Sequence, residues 1–169
     1  MKNNRFLLSG KMQVARLSFM FSMIFYTASL FAQAPVNFSG TWIQDNVKSD
    51  DFYKAFNVSM IIKQTPQVFA VQLIFEDKTG KEQSIQESSF NLDGKEVSKE
   101  EQGGINRESA IWSADKKTLT TKSTRSVGSD VYGSTATYTI SENGTVLTKQ
   151  TSDINPLGPS IKQIFNLKK

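Results

Sequence analysis

The stretch VSMIIKQTPQVFAVQLIFE, residues 58–76, decides the fold class of this chain. Both of its halves alternate apolar and polar residues with a period of two, which is typical of a β-strand that buries one face. The short segment TPQ between the halves, residues 65–67, predicts a tight antiparallel connection. The apolar residues that share one face of each strand are Val58, Met60, Ile62, Phe69, Val71, Leu73 and Phe75.

The same pattern extends over the rest of the chain. Runs rich in Val, Ile, Thr and aromatic residues are separated by turn-forming segments, such as DKTGK at 77–81, DGK at 93–95 and SENGT at 141–145. Asp-Gly and Asn-Gly pairs between alternating runs are strong short-range signals for β-hairpins. The spacing of these turns predicts about nine or ten strands, joined by hairpins throughout.

We therefore predict an all-β fold, an antiparallel up-and-down meander that closes into a barrel of about 8–10 strands. Closure removes the exposed strand edges that an open sheet would leave. A two-sheet sandwich is the alternative, but no long crossover segment interrupts the hairpins. One segment departs from the strand pattern, because Ser49 or Asp50 could cap a short helix near residues 49–56.

Residues 1–34 have the three parts of a secretory signal. A cationic segment is followed by an uncharged apolar run at 17–31 and by Ala-Gln-Ala at 32–34, which suits a signal peptidase. We predict cleavage near 32–34, a single domain at 35–169, and an exported protein, periplasmic or extracellular. An uncleaved membrane anchor is the alternative, although the apolar run is shorter than the ~20 residues that a bilayer span needs.

The charge balance of the chain changes when the signal is removed. The whole chain has 20 Lys and Arg against 16 Asp and Glu. Four of these cations, the last of them Arg16, precede the first acid, Asp45, so the remainder carries 16 residues of each sign. The remaining charges are interspersed and form no basic stripe that could hold a phosphate backbone. We expect no nucleic-acid partner, and the composition leaves the oligomeric state open.

The chain contains neither His nor Cys, which removes the commonest general base, the thiol nucleophile and the usual zinc ligands. No Ser lies in a Gly-x-Ser-x-Gly elbow. Adjacent carboxylates on a strand point to opposite faces and make poor metal clamps. We therefore expect no catalytic residue, no metal and no cofactor. Arg125 with Glu87 is the one ionisable pair considered for a hydrolase or isomerase.

The segment FSGTW, residues 38–42, resembles the Gly-x-Trp entry into the first strand of lipocalins, fatty-acid-binding proteins and other calycins. NLDGKEVS at 91–98 and IWSADKKTLTTKS at 111–123 are similar to segments of small exported bacterial lipocalin-like proteins. The resemblance implies a barrel that binds a small hydrophobic or amphipathic ligand without catalysis. The terminal strand departs from these families, because it lacks the arginine that packs over the tryptophan in lipocalins and the Arg-x-Tyr carboxylate site of fatty-acid-binding proteins.

The resemblance assigns Phe38, Gly40 and Trp42 to a structural barrel end. Gly40 would permit an unusual backbone angle or a close approach, and Trp42 would be a buried ring whose N–H needs a partner. A ligand cavity would instead be lined by the later strands. The candidate lining residues are Phe69, Val71, Leu73, Phe75, Arg125 and Tyr138.

Two interpretations of these lining residues stay open at this point. Barrels of this size can hold one small ligand or close on their own side chains. In a hollow barrel the lining binds a ligand, and in a filled barrel the same rings are core and Arg125 reaches solvent or a surface acid. The filled barrel would act through its surface, as an envelope or interaction domain.

Overall fold

The computed structural model describes residues 34–50, 54–154 and 160–168, without the side chains of residues 82 and 83. The predicted signal lies outside these ranges except for Ala34, so it stays a prediction. The strands are β1 (Gly40–Gln44), β2 (Asn57–Gln64), β3 (Val68–Glu76), β4 (Glu82–Asn91), β5 (Val97–Glu101), β6 (Gly104–Trp112), β7 (Leu119–Val127), β8 (Asp130–Ile140), β9 (Val146–Asp153) and β10 (Ile161–Leu167).

All of these strands belong to one 10-stranded antiparallel sheet with the order β4-β3-β2-β1-β10-β9-β8-β7-β6-β5. Every pair of strands that are consecutive in sequence is joined except β4 and β5, and β1 also pairs with β10. The sheet therefore curls into a nearly closed barrel whose two edges are β4 and β5. The predicted meander is confirmed, and the strands form one sheet rather than the two of a sandwich.

Side chains stabilise the turns at Asp93-Gly94 and Asn143-Gly144. Gly94 and Gly144 have positive φ angles of 76° and 71°. The Asp93 carboxylate accepts a hydrogen bond from the backbone N–H of Lys95 at 3.0 Å, and Asn143 Oδ1 accepts one from the N–H of Thr145 at 3.2 Å. These bonds hold both turns in place. The Asn-Gly turn joins β8 to its paired neighbour β9 and so helps to set their register. The Asp-Gly turn joins β4 to β5, which do not pair, so the hairpin predicted at residues 93–95 is not formed.

The short helix predicted near residues 49–56 does not form in the described part of that segment, which consists of turns and bends. Both candidate caps bind strand β10 instead. Ser49 Oγ accepts a hydrogen bond from a β10 backbone N–H at 2.9 Å, and the Asp50 carboxylate accepts another at 2.7 Å. Oxygens that accept from a strand compete with helix capping. Residues 51–53 lie outside the described ranges.

One end of the barrel is filled by packed rings, which we call the aromatic end. Its members are Phe38, Trp42, Phe69, Trp112 and Tyr138. The ring of Phe38 stacks on Trp112 with centroids 5.8 Å apart, and Phe69 meets Tyr138 edge-on at 5.0 Å. The indole N–H of Trp42 donates to the Phe38 carbonyl oxygen at 2.9 Å. This end of the interior is therefore a packed core in which the buried indole N–H has a partner.

Gly40 lies at the start of β1, against the aromatic end. Its φ angle is 152°, a region that residues with a side chain rarely adopt. A Cβ at this position would lie 2.9 Å from Leu167 Cδ1 and 3.4 Å from Trp42 Nε1. Gly40 thus shows both the unusual backbone angle and the close approach that the FSGTW segment predicts.

Gly133 allows a second close approach, between β8 and β7. It has a φ angle of 151°, and a Cβ built on it would overlap the carbonyl oxygen of Ser123 and lie 2.7 Å from the Cα of Thr124. Both obstructing atoms belong to the backbone of the paired strand, so neither can move away without disturbing the β7–β8 pairing.

We expect Gly133→Ala to lower the free energy of unfolding by roughly 3 kcal/mol, because it combines a strained φ angle with overlap against paired backbone. Gly128→Ala is the matched control. Gly128 also has a positive φ, 59°, but a Cβ there meets no atom within 4 Å, so the loss should be about 1–2 kcal/mol. Urea unfolding measures both values, and equal losses would contradict the close approach.

Candidate ligand-binding site

The predicted lining residues divide between the two ends of the barrel. Phe69 and Tyr138 are buried in the aromatic end, where their rings pack against each other. Val71, Leu73 and Phe75 follow Phe69 along the inner face of β3 and are also buried. These three residues lie progressively further from the aromatic end, towards the opposite rim. They therefore border the part of the interior that the aromatic end does not fill.

Arg125 occupies an inner-face position of β7 near the opposite rim, but its guanidinium binds a turn. Its Nη2 donates to the backbone carbonyl oxygens of Glu101 and Gln102, both at 3.2 Å. These carbonyls belong to the tight β5–β6 connection, in which Gln102 has a positive φ of 49°. The charge of Arg125 therefore faces this turn.

Glu87 lies on the outer face of β4. It registers with Gln72, which alternates with the buried residues Val71 and Leu73. The side-chain amide of Gln72 donates to Glu87 Oε1 at 2.8 Å. Because Arg125 is on the inner face, the structure does not bring together the Arg125–Glu87 pair that was considered for catalysis.

The part of the barrel beyond the aromatic end is accessible along strand β4, and we call it the open half. The described inner-face residues of β4 in this part are Ser84, Gln86 and Ser88. They register with the buried apolar residues of β3, yet all three are exposed. The reason is that β4 is an edge strand, so no paired neighbour covers its free side.

Strands β6 to β9 contribute small and polar side chains to the inner face of the open half. One row across these strands consists of Ala110, Thr121, Ala136 and Thr151, and the row nearer the rim consists of Glu108, Ser123, Ser134 and Asp153. Most of these side chains are much smaller than the rings of the aromatic end. The inner face of the open half is therefore polar on β6 to β9, which we call the polar wall. It is apolar on β2 and β3, which we call the apolar wall.

Lys149 lies on the inner face of β9, where the aromatic end meets the open half. It registers with Tyr138 on β8 and with Gln163 on β10, and all three side chains are buried. The ammonium of Lys149, a residue only 7% exposed, forms no hydrogen bond or ion pair with the residues that the structure describes. Burial lowers its pKa from 10.5 to about 8, because desolvation disfavours the charged form. The group is still mainly a cation at pH 7.

The register neighbours of Lys149 supply no counter-charge. Burial raises the pKa of the Tyr138 phenol well above its ordinary value of 10.0, although a hydrogen bond with the Thr121 side chain opposes this effect. Tyr138 is therefore a neutral group at physiological pH. The inner-face acid on the same strand, Asp153, lies four residues from Lys149, which is about 13 Å along a β-strand.

Gln163, beside Lys149, belongs to a chain of hydrogen bonds that leads to the rim. Gln163 Nε2 donates to Gln44 Oε1 at 2.8 Å, Gln44 Nε2 donates to Asn46 Oδ1 at 2.6 Å, and Asn46 Nδ2 donates to the Phe56 carbonyl oxygen at 3.4 Å. A backbone carbonyl can only accept, so it sets the direction of every bond in the chain. Gln163 must therefore turn its own carbonyl oxygen away from Gln44.

Two buried oxygens next to Lys149 have no hydrogen-bond partner within the described ranges, namely Gln163 Oε1 and Thr151 Oγ1. Thr151 is the next inner-face residue after Lys149 on β9. We call Lys149, Thr151 and Gln163 the Lys149 cluster. A buried polar group that is left unpaired costs about 1–3 kcal/mol, and native structures contain few of them. The Lys149 cluster is therefore the candidate functional site.

Neither Lys149 nor Thr151 is among the residues predicted from the sequence, although the sequence contains a signal for them. In VLTKQTSD, residues 146–153, alternation places both residues on the same face as Leu147. A cation that alternates with an apolar residue on a predicted buried face is the pattern that could have identified Lys149. The position of Gln163 beside it depends on the β9–β10 register, which the sequence does not show.

A concavity of about 340 Å³ lies on the outer side of β2, β3 and β4 and is open to solvent. Its lining residues are Ile61, Lys63, Ala70, Val71, Gln72, Glu87, Ser88 and Ser89. Most of these alternate with buried residues and thus point outward, and the Gln72–Glu87 hydrogen bond joins two of them. Val71 and Ser88, which are register partners on the inner face, also border this concavity.

Within the described ranges, no group of three or more Asp or Glu residues could hold a metal ion. A membrane-crossing helix, which would have to be long and apolar, is likewise not found among those residues.

The sequence was compared with protein-family models and with curated proteins. No protein-family model matches the chain, and no curated protein is similar enough to match it. The fold alone therefore defines the class, which is a nearly closed antiparallel barrel of ten strands, compatible with a lipocalin-like or calycin-like architecture.

Lys149→Met should stabilise the protein at pH 7, because it removes a buried charge that has no partner. The lowering of the Lys149 pKa from 10.5 to about 8 corresponds to roughly 3 kcal/mol, so we expect a gain of about 2–3 kcal/mol in the free energy of unfolding. Lys162→Met, which removes an exposed lysine on the neighbouring strand, is the control and should change stability little.

The difference in the free energy of unfolding between Lys149→Met and the wild type should become smaller between pH 8 and pH 10. In this range the folded protein has released the proton of Lys149 while the unfolded chain still holds it, so the wild type gains stability as pH rises. Urea unfolding of both proteins at pH 7, 8, 9 and 10 tests this. A difference that stays constant over the series would show that Lys149 is not desolvated in the folded state.

Proposed function

We propose that this protein is an exported, non-catalytic binding protein that holds a small amphipathic molecule in the open half of its barrel. The observation that carries the proposal is the unequal filling of the interior. Rings fill the aromatic end, whereas the open half has small and polar inner-face residues and an accessible edge. Such a space suits one small ligand.

The two walls of the open half favour an amphipathic ligand over a purely apolar one. The apolar wall includes Val58, Leu73 and Phe75, and the ring of Phe56 meets Phe75 edge-on at 6.1 Å. The polar wall carries hydroxyl, carboxylate and ammonium groups. A ligand with an apolar part and a polar head would contact both walls without burying unpaired polar groups of its own.

The alternative of a filled barrel draws support from the aromatic end, where Phe38, Phe69 and Tyr138 are buried and their rings pack edge-on against one another. That packing extends over only part of the interior. Export is proposed on the basis of the signal-like residues 1–34, and the absence of catalysis on the basis of the missing His and Cys and the separation of Arg125 from Glu87.

Gln86→Trp should abolish or strongly weaken the binding of the neutral fluorophore N-phenyl-1-naphthylamine, because Gln86 faces the interior and a large ring there would occupy the open half. We expect the wild type to bind the probe with increased fluorescence and the variant to bind at least about tenfold more weakly. Fluorescence titration gives both dissociation constants.

Glu87→Trp is the matched control, since it adds the same ring one residue away on the outer face of the same strand. It should leave probe binding close to that of the wild type. Binding that is lost equally in both variants, or a wild type that takes up no probe, would contradict the interior site and favour the filled barrel.

A further inference from the structure

The Lys149 cluster indicates which polar head the ligand carries. A buried cation needs a counter-charge, and the inner-face residues around Lys149 provide none. Its register neighbours are the neutral Tyr138 and Gln163, and the other residues of its row across the sheet, Trp112 and Leu119, are apolar. An anion from outside the chain is the partner that this ammonium lacks.

The oxygens of the cluster add a second requirement. Thr151 Oγ1 is a hydroxyl, which can donate to the same anion. Gln163 Oε1 is a carbonyl oxygen that can only accept, and its orientation is fixed through Gln44 and Asn46. A simple carboxylate beside it would leave this oxygen unpaired, so the ligand must also carry a hydrogen-bond donor close to its acidic group.

We propose that the ligand is a hydroxylated amphipathic carboxylic acid whose carboxylate binds Lys149 and Thr151 and whose hydroxyl group donates to Gln163 Oε1. This inference rests on the proposed function, because it names the class of molecule that occupies the open half. The apolar chain of the acid lies against the inner face of β2 and β3, on the side of Leu73 and Phe75.

The spacing of the cluster suits a hydroxyl group adjacent to the carboxylate. Lys149 and Gln163 are direct cross-strand partners, and the Cβ atoms of such pairs lie about 4.5–5.5 Å apart. Thr151 is the next residue on the same face, about 7 Å further along the strand. A 2-hydroxy acid, in which the two groups are on neighbouring carbons, can reach all three residues.

The charge of the cluster favours a carboxylate over a phosphate. A phosphate monoester carries close to two negative charges and three acceptor oxygens at neutral pH, whereas the cluster offers one ammonium and one hydroxyl. A carboxylate carries one negative charge and two acceptor oxygens, which match one ammonium and one hydroxyl donor. The unpaired Gln163 oxygen would also repel the additional acceptor oxygens of a phosphate.

Four C12 probes test the need for an acidic group separately from the need for a neighbouring hydroxyl group. They are 2-hydroxydodecanoic acid, dodecanoic acid, 1,2-dodecanediol and dodecan-1-ol. Isothermal titration calorimetry of the full mature chain at pH 7, below the aggregation limit of each probe, gives the affinities. We expect the hydroxy acid to bind tightest, dodecanoate to bind at least about tenfold more tightly than dodecanol, and the hydroxyl group to strengthen the acid several-fold.

Lys149→Met should remove the preference for acids while dodecanol still binds. Gln163→Leu should instead remove the advantage of the hydroxy acid over dodecanoate and leave the preference for acids in place. Lys162→Met, which removes the adjacent exposed cation, should change neither preference. Thermal unfolding of each variant shows that the fold persists, and Lys149→Met should be more stable than the wild type.

The outcomes distinguish this inference from the proposed function. If dodecanol and the acids bind equally well, or if Lys149→Met keeps the preference for acids, the assignment of the acidic ligand is wrong while the binding function stands. If none of the four probes and no N-phenyl-1-naphthylamine binds the wild type, both proposals are overturned. A Gln163→Leu variant that still favours the hydroxy acid would remove the hydroxyl part of the inference.

Discussion

The pairing of the first strand with the last is the constraint on which the rest of this structure depends. β1 joins β10 through the registers Trp42–Leu167 and Gln44–Phe165. Without this pair the remaining hairpins would form two separate sheets, and their apolar faces would be exposed to water. The pairing also has the highest entropic cost, because it joins strands from opposite ends of the chain. An inner face exists only because β1 and β10 meet.

The closure has a direct chemical consequence in the interior. It brings Gln44 of β1 next to Gln163 of β10, at 2.8 Å between amide nitrogen and carbonyl oxygen. Asn46, just after β1, extends this contact towards the rim. The hydrogen-bond chain that turns the Gln163 carbonyl oxygen away from Gln44 therefore exists only in the closed barrel. In this fold the β1–β10 pair closes the barrel and also places the hydrogen-bonded Gln44 and Gln163 in its interior.

The sequence predicted the fold well because its signals are local. Alternation in residues 58–76 and the turns at Asp93-Gly94 and Asn143-Gly144 are decided by neighbours in the chain. The prediction of a short helix was wrong for a non-local reason, because Ser49 and Asp50 bind β10, which lies more than a hundred residues away in the chain. A helix-capping pattern cannot be told from a strand-binding one without knowledge of that partner.

The candidate site was predicted only in part, again because register is non-local. Leu73 and Phe75 face the interior as their alternation indicates, but Phe69 and Tyr138 are core rings and Arg125 holds a turn. Nothing in the chain near Arg125 reveals that the carbonyls of Glu101 and Gln102 will lie within its reach. Which inner-face residues meet, and thus which are left without a partner, depends on the alignment of strands that are distant in sequence.

The position of Lys149 links stability to binding. A buried ammonium without a partner opposes folding, and the packed rings of the aromatic end supply apolar burial that can offset this cost. The same desolvation that weakens the fold strengthens any charge–charge contact that a ligand makes there, because the local dielectric constant is low. A ligand that neutralises Lys149 would therefore stabilise the folded protein beyond its contacts with the apolar wall. In this barrel the desolvation of Lys149 lowers stability, and the same desolvation would strengthen its contact with a bound anion.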